Sequence, residues 1–201
     1  MTSNNLAGAA LLPSLLMLTA CDDPQSFKDS LPFSNHYAAS TSMEPTLPKG
    51  TSFTGYSVST PELRRGDILI VRTHQNEDYV VRLVGLPGDK IAIEDGIIIL
   101  NGEKVEQRRR GSWIVDDEVV GGTMDVYVEQ LPGEAEPHRI LDEGQTSGDN
   151  MPEIALSTDR YFLMGDNRDN AADSRFDDDL IGLGIVSGSQ IKRRVDMQSL
   201  D

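Results

Sequence analysis

Between Gly66 and Leu100 the chain alternates short β-branched runs with turn signals, and this pattern points to antiparallel β-structure before anything else is considered. "GDILIVR" (66–72) and "DYVVRLVG" (78–85) flank the polar "THQNE", the pattern of a hairpin. "KIAI", "GIIIL" and "EKVEQ" follow, punctuated by Asp95-Gly96 and Asn101-Gly102, dipeptides that favour tight hairpin turns. Further strands are predicted at Met124–Gln130, Tyr161–Met164 and Ile181–Val186. Residues 131–158, rich in Gly, Pro and acids, are predicted to form a long loop or irregular insertion. No segment sustains a 3.6-residue apolar period, and no internal repeat is evident. The expected fold class is mostly β, a largely antiparallel domain.

A length of 201 residues supports one domain with a core sufficient to fold without staples. The 33 acids against 18 bases give a net charge of -15, which argues against nucleic acid as a partner. The one tight basic run, Arg108-Arg109-Arg110, reads as a solvated loop or strand edge rather than a binding patch. Cys21 is the single cysteine, so no internal disulfide forms. The apolar stretch 6–20, interrupted by Pro13, is too short to span a bilayer but suits the apolar region of a signal peptide. It ends in "LTAC", which resembles the lipobox of bacterial lipoproteins and makes Cys21 a candidate lipidation site. "MTSNN" lacks the Lys or Arg of that pattern, so a degenerate membrane anchor with an incidental cysteine is the alternative. Residues 1–20 are thus a signal peptide or short anchor, and 21–33, polar with a proline, read as a tether.

Three further stretches carry chemistry. "ASTSMEPTL" (39–47) sets Ser42 between small residues and a turn, as a hydroxyl open for attack; such a nucleophile needs a base. "RLVGLPGDKI" places Gly85, Pro87 and Gly88 in a turn directly after a strand. "FLMGDNRDNAADSRF" packs three acids and two arginines into a loop leaving a strand. Asp166, Asp169 and Asp173 suggest a cation site, but their spacing lacks the alternation of a calcium loop. Pairing with Arg168 and Arg175 fits better, and no metal or cofactor is expected.

In order, "SMEPTL", "RGDILIV", "YVVRLVGLPGD" and "GDNRDNAADSRF" resemble the bacterial signal peptidase I family of serine–lysine peptidases, over about residues 36–186. "LPGEAEPHRILDEGQ…GDNMPE" is similar to an insertion of proteobacterial members. The resemblance implies an antiparallel β-sheet catalytic core with a second, smaller β/loop lobe, within a domain spanning 34–201 and an inserted lobe at about 102–158. It further implies endoproteolysis of exported preproteins after small residues, with preproteins or their signal peptides and the membrane surface as partners, at the periplasmic face of the bacterial inner membrane. By the same resemblance Ser42 is the nucleophile and Ser40 an oxyanion donor. Met43, Leu47, Tyr79 and Val80 match positions lining the pocket for small residues, and Asp173 and Arg175 a bracing pair.

The chain departs from the family at two positions. Val81 occupies the place of the lysine base, whose amine works because burial lowers its pKa. Ala171 replaces the serine that hydrogen-bonds that amine. Arg82, next to the vacant position, cannot substitute, because a guanidinium stays protonated and strand parity sends it to the opposite face. His36 and His74 are the remaining candidates for a base. The chain is therefore either a divergent signal peptidase with activity in doubt or an inactive homologue that binds exported segments or a partner protein. A self-cleaving regulator of the repressor-protease type fits less well, since it needs the same lysine.

Overall fold

The computed structural model describes residues 30–119, 121–177 and 182–200. The chain divides into a unit ending at Ser30 and a compact unit from Leu31 onward, which is the one described. The elements of this unit are strands and short 3-10 turns. Cys21 and the apolar stretch 6–20 lie outside the described residues. Among the described residues no helix is long and apolar enough to cross a membrane.

The central sheet is built around the two runs that dominate the sequence. Ile68–Arg72 (β3) and Asp78–Gly85 (β4) pair antiparallel, with Leu69 opposite Val81 and Ile68 opposite Arg82. Both runs are nearly continuous in apolar residues because both faces are covered. Leu69, Val71, Val81 and Leu83 enter one core with Tyr161, Leu163 and Val186. Ile68, Ile70 and Val80 enter another with Met43, Leu47 and Phe53. Phe33–Tyr37 (β1), Ser52–Ser57 (β2), Arg160–Met164 (β12), Val186–Ser187 (β13) and Ile191–Asp196 (β14) complete a seven-stranded sheet in the order β1-β2-β14-β3-β4-β12-β13.

Lys90–Glu94 (β5) and Ile97–Leu100 (β6) join through Asp95 (φ 48°) and Gly96 (φ 77°). Asn101 (φ 54°) and Gly102 (φ 84°) lead on to Glu103–Lys104 (β7). These are the tight turns expected of the two dipeptides, which tolerate positive φ. With Met151–Ala155 (β11) they form a four-stranded sheet, order β11-β5-β6-β7. Its Ile91, Ile93, Ile98 and Leu100 pack against Val84, Phe162 and Met164 from the central sheet. Glu106–Val115 (β8), Gly122–Gln130 (β9) and His138–Asp142 (β10) make a three-stranded sheet with its own small core of Val115, Met124, Val126 and Leu141. The basic run 108–110 lies on β8, the edge of this sheet. A register shift there at Arg109/Gly111 accompanies a φ of 132° at Gly111.

Two expectations need correction. The stretch 131–158 is not one irregular loop, since it contains β10 and β11. His138 to Asp142 pair with β9, and Met151 to Ala155 with β5. A partner strand outweighs an unfavourable local composition. Of the strand predicted over 181–186, residue 181 lies outside the described residues and only Val186 is in a strand. The amides of Gly182, Leu183 and Gly184 bond instead to the carbonyls of Asp177, Asp173 and Phe176, which folds this segment back on the acidic loop. The strand β1 begins at Phe33, and the carbonyls of Leu31 and Pro32 just before it accept from Ser57.

The two sheets meet at Gly85 so closely that an added Cβ would lie 2.2 Å from Ile91 Cδ1 and 2.9 Å from Phe162 Cβ. Gly85→Val is expected to destabilise the domain by about 1–3 kcal/mol through overpacking. Urea unfolding should show a lower midpoint with an unchanged slope.

Candidate active site

Ser42 sits in a turn between β1 and β2 whose amides close on its own carbonyls, Glu44 N–H to Thr41 O at 3.0 Å and Leu47 N–H to Met43 O at 2.8 Å. The acidic loop after β12 grips this turn from the other side. Asn167 donates its backbone N–H to the Ser42 carbonyl at 3.0 Å and its side-chain amide to the Thr41 carbonyl at 3.1 Å. Asn170 donates to the Thr41 hydroxyl. Gly165 makes the approach possible, because a Cβ there would stand 2.3 Å from Ala171 Cβ and 2.7 Å from the Ser42 carbonyl.

The turn, β4 and the acidic loop enclose a cavity of about 400 Å³. Ser40, Ser42, Met43, Leu47, Tyr79, Val80, Val81 and Ala171 all line it. The motifs that are far apart in sequence therefore converge on one cleft. Tyr37, Ala38, Ala39, Asp78, Asn170 and Ala172 also line it; none of these was singled out from the sequence. Asn167 and Asn170 belong to the acidic-loop motif, and only the folded chain reveals that both hold the serine turn.

The Ser42 and Ser40 hydroxyls are 3.0 Å apart, and the Ser42 amide lies 3.5 Å from Ser40 Oγ. Hydroxyls so placed can donate to a carbonyl oxygen or an oxyanion, but neither takes a proton from the other at neutral pH. No lysine or histidine among the described residues lines the cavity. Val81, 3% exposed, is packed with Leu69 and Leu83. Lys49 pairs with Asp117, Lys90 with Glu153 and Lys104 with Glu94, while Lys192 donates to the Ser189 carbonyl. His36 stacks on Phe53 at 5.7 Å between centroids and shares a 2.6 Å hydrogen bond with Ser34. Burial holds its pKa below the ordinary imidazole value, with Asp78 pulling the other way. His74 is exposed, in the turn joining β3 to β4.

Behind the cavity lies a buried network of charge. Arg82, on the opposite side of β4 from Val81 as parity requires, forks onto Asp166 at 2.7 and 2.6 Å. Asp166 also accepts from the Thr46 hydroxyl, in the serine turn. Burial opposes the charge on Asp166, but Arg82 more than offsets it and holds the carboxyl below its usual range. Arg168 pairs with Glu129, and Arg175 forks onto Asp173, which also accepts from the Gly165 amide at 2.9 Å. The acidic loop is thus cross-braced by arginine–carboxylate pairs, and the described residues contain no cluster suited to a metal ion.

His138 joins the network between two carboxylates. Its Nδ1 is 2.9 Å from Glu134, and its Nε2 stands 3.2 Å from Glu129 Oε1, off hydrogen-bond geometry. Burial disfavours its charge, yet Glu129 and Glu134 outweigh that and raise its pKa above 6.5.

The family described as "Signal peptidase, peptidase S26" matches residues 27–199. The chain is 31% identical over 162 residues to signal peptidase I of Bacillus licheniformis, covering 79% of this chain and 72% of that one. It is 30% identical over 171 residues to signal peptidase I of Bacillus caldolyticus, covering 83% and 79% respectively. The crystal structure of a signal peptidase I from Enterococcus faecalis V583 aligns over 67% of this chain and 97% of its own, at 19% identity and a TM-score of 0.38.

The position of His138 predicts a pH dependence of stability. Its folded pKa is raised, so its contribution is complete below the unfolded value of 6.5 and is lost as pH rises through the folded value. The stability advantage of the parent over His138→Gln should be largest near about pH 6 and shrink towards about pH 9. Denaturant unfolding of both proteins across that range measures it.

Proposed function

We propose that this chain, which belongs to the signal peptidase family, peptidase S26, holds extended segments of exported proteins in the cleft beside Ser42 and hydrolyses them far more slowly than a member with a lysine base. The observation that carries this reading is that Val81 and Ala171, which by resemblance take the places of an amine and its hydrogen-bonding serine, line the same cleft as Ser42 and Ser40. Small apolar residues and the shallow walls formed by Met43, Leu47, Tyr79 and Val80 suit small side chains. Ser42 and Ser40 offer hydroxyl hydrogen bonds to the carbonyl of a bound peptide. Arg82–Asp166 and Asp173–Arg175 keep the loops in place without the lysine. Binding an exported segment needs all of these and no base.

A second reading, an active peptidase using another base, is favoured by the retention of both serines. His36 and His74 would then be the groups to test, although His36 is already committed to Ser34 and Phe53.

Cleavage of a preprotein bearing an Ala-x-Ala site separates the two. General-base catalysis is worth about 10²–10⁴-fold, and residues acting as a unit lose function non-additively. Val81→Lys combined with Ala171→Ser is expected to raise the cleavage rate by about that factor, and Val81→Lys alone by less, since its amine lacks an orienting partner. Activity in the parent that depends on Ser42, and is not raised by the double change, would show that another base operates.

The place of action follows from the same reading. The domain from residue 34 onward faces the periplasm at the inner membrane, with its inserted lobe at about 102–158. It is tethered by residues 21–30, since 31–33 already pair with β2, and anchored by lipid on Cys21. Palmitate labelling of cells expressing the parent and Cys21→Ser tests the anchor. Label is expected in the parent and absent from the variant; equal labelling, or none, favours a simple hydrophobic anchor.

A further inference from the structure

Glu44 follows Ser42 by two residues and is 5% exposed. One of its side-chain oxygens accepts from the Lys49 amide at 3.2 Å, closing the turn on itself. The other accepts from the indole Nε1–H of Trp113 at 3.0 Å. Trp113 belongs to β8 in the three-stranded sheet and lies outside every stretch that carries the family resemblance. It packs against the small core of Val115, Met124, Val126 and Leu141, and the Arg139 guanidinium of β10 lies 6.0 Å from its ring centroid. A second tie runs from Lys49 Nζ to Asp117, two residues past the end of β8, at 2.8 Å.

We infer that Trp113 is a positioning residue for the serine turn, which it holds through Glu44. The exposed Lys49–Asp117 pair contributes little by itself, as surface ion pairs do. The Trp113–Glu44 bond is different, because its acceptor is buried. Without the indole N–H, a Glu44 oxygen is left in the interior without a partner, and the cost of such a group is relieved only by letting water in or moving the chain. The chain that would move carries Met43 and Ser42, both on the cleft wall. The bracing from the acidic loop acts on Thr41 and Ser42, and that from Asp166 on Thr46; Trp113 fixes the segment between them. The three-stranded sheet thereby becomes part of the site without touching a bound segment.

Amide hydrogen exchange on the full chain, without peptide, tests this. Trp113→Phe keeps the ring and removes the donor. The amides of Glu44 and Leu47 should exchange about ten- to a hundredfold faster in it, the range set by an unpaired buried acceptor, while those of β4 around Val81 keep their parental rates. Glu44→Gln, which has one carbonyl oxygen for two donors, the indole N–H and the Lys49 amide, should accelerate the same amides. Parental rates at Glu44 and Leu47 in Trp113→Phe overturn the inference. So does a uniform acceleration throughout the domain, which would make Trp113 a packing residue only. If Trp113→Phe does not fold, Glu44→Ala takes its place. Trp113 is the single tryptophan of the chain, so its emission must shift in Glu44→Ala, and an unchanged spectrum overturns the inference equally. The inference rests on the reading of Ser42 as the working serine only for its significance. A chain that binds no exported segment yet shows the local acceleration retires that reading and leaves this one standing.

Discussion

The fork between Arg82 and Asp166 is the interaction on which the arrangement of the cleft depends. It joins β4 of the central sheet to the loop that leaves β12, and through the Thr46 hydroxyl it reaches the turn that carries Ser42. Both partners are buried, so loss of either leaves an uncompensated charge, at a cost of about 3–5 kcal/mol. Around this pair the remaining charges fall into place. Glu134 meets both Arg82 and His138, and Glu129 meets both His138 and Arg168. Three cationic and three anionic groups balance when His138 carries its proton. The acidic loop, in a chain already rich in acids, is thereby held by attraction instead of driven apart.

The same strand explains why a valine at position 81 is tolerated. Successive residues of a strand face opposite sides, so the charged network on the Arg82 side is untouched by what stands at Val81. On its own side Val81 meets Leu69, Val71, Leu83 and Leu163, an apolar set that a β-branched side chain fills well. Ala171 lines the same cleft and is likewise buried and apolar, so neither position presents a polar group there. The apolar face and the charged face of β4 therefore rest on separate physical grounds.

Much of this was legible in the sequence where the information is local. Asp95-Gly96 and Asn101-Gly102 need positive φ and adopt it, and the alternation of β3 and β4 assigns Val81 and Arg82 to opposite sides. What was not legible depends on distant partners. "FSNHY" in β1 and "SFTGYS" in β2 are too polar to announce strands, and they form by pairing with each other and with β14. β10 and β11 hide in a Gly- and Pro-rich stretch for the same reason. In the site, the motifs pick out Ser42, Val81 and the acidic loop, which meet around one cleft. They gave no hint that Glu44 would meet Trp113, 69 residues away in the chain, because no periodicity or spacing links the two.

The outer edge of β8 has a further consequence, for solubility. An unpaired strand edge is a template on which another extended chain can build. Arg108 and Arg109 engage Glu106 and Asp125, Arg110 is exposed beside them, and the irregularity at Gly111 interrupts the pleat. An incoming strand would have to desolvate the arginines and match a broken register at the same time. Edge-to-edge pairing is disfavoured there.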